Sequence, residues 1–176
     1  ASKAVENNIE NIDLFENRYR PIKDTLCSGG TAQVIICEDI KENYKRKALK
    51  IYAINDEINK DESKLIFERE MHALKSLNEH PNIVKIYDHG FSSKLNTNFI
   101  VIEECLIDLE DLNQILEIFV SGLEEEGVIK NDKDLIEEWN ETLEPILSAV
   151  SYAHKKNWVH RDIKPSNILI SAEILE

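Results

Sequence analysis

Asp162, Lys164 and Asn167 stand within one short string, His160-Arg161-Asp162-Ile163-Lys164-Pro165-Ser166-Asn167. A carboxylate can orient a hydroxyl nucleophile and take its proton. An ammonium group two residues on can hold a phosphoryl group in transit, and a carboxamide five residues on can ligate Mg²⁺. Those residue types at that spacing suit phosphoryl transfer. An Asp and an Asn five apart also occur in many loops, so the same residues fit a polar turn between a helix and a strand.

The flanking patterns supply a helix and a strand. Ile146-Leu147, Val150 and Ala153-His154 recur at helical spacing, and Lys156-Asn157-Trp158-Val159 leads from them into the string. Pro145 either starts that helix or kinks it. Ile168-Leu169-Ile170 follows the string as an apolar run. Leu109, Leu112, Ile115-Leu116 and Phe119 mark another helix face. Between the two helical patterns lies an acidic insert, spanning Asp108 to Glu144, with Glu124-Glu125-Glu126 and Glu137-Glu138.

The first hundred or so residues read as β-rich. Residues 1–18 are polar and rich in Asn and Glu, a flexible lead or one short helix. From Tyr19 the texture is strand-like. Cys27-Ser28-Gly29-Gly30-Thr31-Ala32-Gln33 is a small-residue turn, and Val34-Ile35-Ile36-Cys37 is the returning strand of a hairpin. Ala48 to Ile54 alternates loosely but has strand-like content, and Asn55 to Ser63 reads as a charged loop. Leu65-Ile66, Met71, Ala73-Leu74 and Leu77 predict an amphipathic helix, ended by His80-Pro81-Asn82. Ile83 to Tyr87 and Phe99 to Ile102 predict two more strands, with a turn at Gly90 and a polar loop from Ser92 to Asn98. The sum is five strands and one helix.

A phosphate-binding cation should project from a rigid strand and needs a carboxylate to fix its long side chain. Lys50 lies on such a strand. Lys45, Arg46 and Lys47 precede it, so a merely solvated basic run is the alternative.

The string from His160 to Asn167 resembles the catalytic loop of protein kinases, H-R-D-L-x-x-x-N, with Ile163 in place of Leu, and its Lys164-Pro165 is similar to the Ser/Thr branch. Ala48-Leu49-Lys50 resembles the V-A-I-K strand of that family, and Glu70 on the next helix stands at the position of its carboxylate partner. Glu68 competes for that role but lies two residues away, on another face of the helix. The glycine-rich pattern G-x-G-x-x-G-x-V falls on Cys27 to Val34. Its middle glycine is Gly29, its first is replaced by Cys27 and its third by Ala32, while Gly30 adds flexibility.

The resemblance implies an α+β, protein kinase-like fold. It divides the chain into the lead over 1–18, a β-rich N-terminal lobe over 19–102, and a hinge with the first part of a helical C-terminal lobe over 103–176. It implies ATP and Mg²⁺ between the lobes. Lys50, paired with Glu70, would hold the α- and β-phosphates under Gly29 and Gly30. Asp162 would position a Ser or Thr hydroxyl of a protein substrate, Lys164 would neutralise the moving phosphoryl, and Asn167 would take a metal ion. Leu26, Val34 and Ala48 would form the upper wall of an adenine pocket and Leu169 the lower one, though each is equally explicable as core. Ile102 would close the back, Glu103 and Cys105 would offer backbone groups, and Asp108 would reach the ribose. His160 would pack the loop and Arg161 would face a regulatory segment.

The family's second metal ligand, the Asp of Asp-Phe-Gly, belongs about a dozen residues after Asn167, beyond Glu176. The expectation is an N-terminal fragment of a longer Ser/Thr kinase that does not catalyse alone. A pseudokinase or kinase-fold interaction module is the alternative. A small-molecule phosphotransferase of similar fold is a third reading, against which Arg161 and Lys164-Pro165 weigh.

Composition narrows the setting. The 176 residues are 42% hydrophobic, enough for a core. With 21 Lys and Arg against 34 Asp and Glu, the net charge is −13, which disfavours nucleic-acid partners. The acidity would steer basic peptides or simply be a solvated surface. No run of about 18 apolar residues suggests a membrane span, and the start lacks a signal-peptide layout. Cys27, Cys37 and Cys105 are spaced for neither disulfides nor a metal, so a reducing, cytoplasmic setting is expected.

Overall fold

A computed structural model of the chain describes residues 9, 12–29, 31–52, 58–115 and 132–171, with backbone alone over 132–142. It forms two compact units, Ala1–Asn78 with Val84–Glu104, and Glu79–Ile83 with Cys105–Glu176.

The first unit is an antiparallel sheet with a helix. Its strands are β1 (Tyr19–Pro21), β2 (Cys27–Ser28), β3 (Ala32–Asp39), β4 (Lys45–Tyr52), β5 (Ile86–Ser92) and β6 (Thr97–Ile102). Their order is β1-β3-β4-β6-β5, with β2 also paired to β3. Sequence predicts five strands where six are present, because the first is broken in two. Between its halves the Thr25 hydroxyl donates to the Ile22 carbonyl at 2.7 Å and accepts from the Ile36 amide at 3.1 Å. A side chain there takes the place of ladder hydrogen bonds.

The loose alternation of β4 has a physical reason, since both of its faces are covered. Leu49 and Ile51 join Ile35, Cys37, Phe99 and Val101 in one buried cluster. Tyr52 joins Ile100, Ile86, Phe67 and Met71 in the other. Successive side chains of one strand thus serve opposite cores.

The lead is less free than its composition suggests. Ile9, Ile12 and Phe15 are buried in the first cluster with Tyr19, and Phe15 bridges to Tyr19. Arg18 donates to both carboxylate oxygens of Asp39, at 2.9 and 2.7 Å. A polar average hides apolar residues that are few but spaced to reach one face.

Gly90, expected in a turn, sits inside β5 opposite Phe99. A Cβ there would come within 3.0 Å of the Phe99 ring, so close packing explains the glycine. The chain reverses farther on, where Asn96 adopts a φ of 53°.

Helix α1 (Lys60–Leu77) begins inside the segment predicted as loop. Asn59 caps it, its side-chain oxygen accepting from the amides of Asp61 and Glu62 at 3.0 Å. Asp61 and Glu62 at the first turn and Lys75 at the last complement the helix dipole. Phe67 and Met71 bury its inner face. Strand residues predicted at Ala53 and Ile54 lie outside the described residues, as does most of the acidic insert.

The second unit contains β7 (Cys105–Asp108), helical turns over 109–115, helix α2 (Asp132–Lys155), a 3₁₀ turn (Pro165–Asn167) and β8 (Leu169–Ser171). Helix α2 runs through Pro145 and so does not begin there. It ends on Asn157, whose φ is 63°. The Trp158 amide returns to the Ala153 carbonyl and the Asn157 amide to His154, both at 2.9 Å, a Schellman closure that turns the chain toward His160. His80 packs on Tyr152 with ring centroids 5.0 Å apart, and its Nε2 lies 3.1 Å from Ser148 Oγ.

Candidate active site

Lys50 leaves β4 from the face that carries Tyr52, because residues two apart share a side of a strand. Glu70 comes from α1. The Lys50 ammonium donates to both Glu70 carboxylate oxygens, at 2.6 and 2.8 Å. Glu68, the competitor, pairs instead with Lys64 at 3.7 Å. Lys47, from the same basic run, is withdrawn from solvent and bound to Asp39 at 2.9 Å and Glu42 at 2.8 Å. Arg46 pairs with Glu104 at 2.6 Å, so the ion pair of Lys50 is separate from those of the basic run before it.

Residues expected around a nucleotide on this unit lie on adjoining strands. Val34 is in register with Lys50 on one side and with Cys27 on the other, and Ala48 is in register with Ile102. Leu26 is partly buried against the first core cluster. The Glu103 amide donates to the Lys85 carbonyl at 2.9 Å, so that amide is engaged within the first unit. The Gly29 amide donates to the Ala32 carbonyl at 2.9 Å, closing a short turn. Gly30 lies outside the described residues.

In the second unit the loop after α2 folds back on itself. Asn167 Nδ2 donates to the Asp162 carbonyl at 2.8 Å and to Asp162 Oδ2 at 3.0 Å. Lys164 Nζ reaches the same Oδ2 at 3.2 Å. The Asp162 amide donates to His160 Nδ1 at 3.3 Å. Arg161, between them, takes a left-handed φ of 65°. The Asp162 side chain is 63% exposed. Its carboxyl is held below the usual carboxylate range, first by the hydrogen bond from Lys164 and then by that from Asn167. It is an ionised acceptor exposed to solvent.

Asp108 and Leu169 meet as partners across β7 and β8, and Cys105 is in register with Ser171. Asp108 Oδ1 also accepts from the Asp111 amide at 2.9 Å, capping the helical turns that follow. One carboxylate oxygen thus has a structural duty that spacing did not reveal.

Asn167 fits a hard cation. Both hydrogen bonds that join its side-chain amide to Asp162 use Nδ2 with oxygen acceptors, so Oδ1 keeps the character of a hard oxygen acceptor of the kind Mg²⁺ takes. Among the described residues no group of three or more His, Cys, Asp or Glu side chains gathers at a metal-binding spacing.

The pattern that defines the protein kinase domain matches residues 21–175. The chain belongs to the protein kinase family. Its α+β architecture, a β-rich first unit with the long helix α1, is that of the kinase N-terminal lobe. This kinase chain is 35% identical over 160 residues to the probable serine/threonine-protein kinase PknB of Lactococcus lactis, covering 90% of the chain and 22% of the relative. It is 36% identical over 157 residues to the serine/threonine-protein kinase PrkC of Bacillus subtilis, covering 89% and 21%. Similarity extends to calcium-dependent protein kinase 5 of Plasmodium berghei, at 30% over 164 residues, or 93% of the chain and 25% of that protein. The kinase chain spans about a fifth to a quarter of the length of these relatives. Among its described residues no helix is long and apolar enough to cross a membrane.

Sequence reasoning passed over one residue of the site. The Tyr52 hydroxyl donates to Glu70 Oε2 at 2.8 Å. The signal was present, since Tyr52 is two positions from Lys50 on a strand.

Proposed function

We propose that this kinase domain transfers the γ-phosphoryl of ATP to a Ser or Thr hydroxyl of a protein. The observation that carries the reading is the Asp162 carboxylate, ionised and exposed, with Lys164 and Asn167 on one of its oxygens. Asp162 orients the substrate hydroxyl and takes its proton as the oxygen bonds to the γ-phosphorus. The bond from that phosphorus to the β–γ bridging oxygen breaks, releasing ADP. Lys164 offsets negative charge on the moving phosphoryl. Lys50, held straight by Glu70, binds the α- and β-phosphates. Asn167 Oδ1 would hold Mg²⁺, which when bound neutralises phosphate charge. Leu26, Val34, Ala48, Ile102 and Leu169 would enclose the adenine, with Glu103 and Cys105 at its polar edge, Asp108 at the ribose and Gly29 with Gly30 over the phosphates.

A second reading, a nucleotide-free interaction module, has one observation in its favour. The Gly29 amide is spent on Ala32 within the turn, where a phosphate cradle needs amides free, and Cys27 and Ala32 replace two glycines. The test is phosphoryl transfer from γ-labelled ATP to a peptide library by the full gene product, with Asp162→Asn as control. A loss of about 10²–10⁴-fold in the control is expected for removal of the base. Label in neither protein, together with no Mg-ATP shift of the unfolding midpoint, would favour the interaction module.

A further inference from the structure

Tyr52 meets α1 at two points, Glu70 and Phe67. Its side chain is 1% exposed, and a buried phenol needs a hydrogen-bond partner. The partner is Glu70 Oε2, the oxygen that also receives the longer of the two Lys50 hydrogen bonds. The Tyr52 ring meets Phe67 edge-on, with centroids 5.4 Å apart and planes at 74°. Phe67 lies one turn before Glu70 on α1, so the ring grips the helix at the same place as the hydroxyl. The Lys50 ammonium also lies 5.6 Å from the centroid of the Tyr52 ring. The strand beneath is pinned as well, since the Thr97 hydroxyl donates to the Tyr52 carbonyl at 2.6 Å.

An ion pair between two partly exposed side chains on separate elements is weak by itself, because solvent screens it and both chains are long. Lys50 and Glu70 are 22% and 31% exposed. A neutral, buried donor on one carboxylate oxygen changes that balance. It fixes the rotamer of Glu70 without competing for charge, and its own ionisation is suppressed by burial first and by the Glu70 carboxylate next. We propose that Tyr52 is a positioning residue that locks Glu70 onto Lys50, so that α1 stands ready for phosphate binding without an outside activator. The role in catalysis rests on the kinase reading above; the coupling between Tyr52 and Glu70 does not.

The experiment is a double-mutant cycle in the full gene product with Tyr52→Phe, Glu70→Gln and the pair. The phenylalanine keeps the ring against Phe67 and removes only the hydroxyl. Tyr52→Phe should lower kcat/KM for ATP about tenfold through KM, leaving KM for the peptide unchanged. In the Glu70→Gln background the same change should have no further effect, because the hydroxyl acts through that carboxylate. Equal losses in both backgrounds, or no loss in either, would overturn the proposal. The unfolding midpoints of the four proteins give the readout independent of activity, with non-additive shifts expected. If the wild type transfers no phosphate, the kinase reading fails, and non-additive midpoints still support the lock while additive ones sink it.

Discussion

The Phe15 ring stands edge-on to Phe99, with centroids 4.9 Å apart and planes at 86°. Phe15 precedes the region matched by the kinase domain pattern, which starts at residue 21, yet it is 1% exposed in the core of the first unit. The lead is therefore a structural part of this lobe. Phe15→Ala is expected to cost about 3–5 kcal/mol, the range for emptying a buried aromatic site. Chemical denaturation measures it, and a loss under about 1 kcal/mol would show that the lead is not needed.

Asp39 and Lys47 meet across the β3–β4 hairpin with both side chains fully withdrawn from solvent. Burial pushes the Asp39 carboxyl up, but the hydrogen bonds from Arg18 and Lys47 outweigh it, and the net effect is a carboxyl held below its ordinary range. A group whose folded pKa is lowered stabilises above its unfolded value and loses that contribution as pH falls toward the folded value. Stability should thus decline below about pH 4. Asp39→Asn should flatten that decline and cost about 3–5 kcal/mol at neutral pH, because Lys47 and Arg18 lose a buried counter-charge. Unfolding followed from pH 7 down to pH 3 reads both effects.

How far such features were legible depended on whether the signal was local. The loop from His160 to Asn167 is contiguous, so the string alone carried its residue types, spacing and family resemblance, while the contacts of Lys164 and Asn167 with Asp162 came from the structure. The Lys50–Glu70 pair was implied by the resemblance of Ala48-Leu49-Lys50 and the next helix to the kinase family, and strand alternation alone did not single out Glu70. Lys47 is different. In sequence it is one cation of a solvated-looking run, and only the pairing of Asp39 with Lys45 and Cys37 with Lys47 in the hairpin puts an acid beside it. Ile9, Ile12 and Phe15 were hidden by the polar average of the residues around them. Gly90 read as a turn because composition cannot tell a glycine that bends the chain from one that makes room for a ring.

The two described glycines of the first unit should respond in opposite ways. A Cβ on Gly29 would meet only the Ala32 carbonyl oxygen, at 3.4 Å. A Cβ on Gly90 would press on two atoms of the Phe99 ring, at 3.0 and 3.1 Å, and that ring is held by Phe15. Gly29→Ala should change stability by less than about 1 kcal/mol. Gly90→Ala should cost about 1–3 kcal/mol through overpacking. Thermal or urea unfolding of the two variants tests the contrast, and equal effects would contradict it.

With Asp162 as the proposed base, the pH dependence of phosphoryl transfer should follow its carboxyl. A general base works only when ionised, and the acid limb of kcat/KM reports its pKa in the free enzyme. Lys164 lowers that pKa most and Asn167 next, so the limb of the wild type should lie below the ordinary carboxylate range. Lys164→Met removes the ammonium at 3.2 Å from Oδ2, and the limb should move to higher pH. Asn167→Ala removes the amide at 3.0 Å and should move it in the same direction by less. Rates in both variants will fall for a second reason, since Lys164 and Asn167 are proposed to meet phosphate and metal directly. The position of the limb separates the two effects, because a lost phosphate or metal contact lowers the plateau without displacing it. Profiles that fall in height but keep their acid limb would show that Asp162 is not the titrating base.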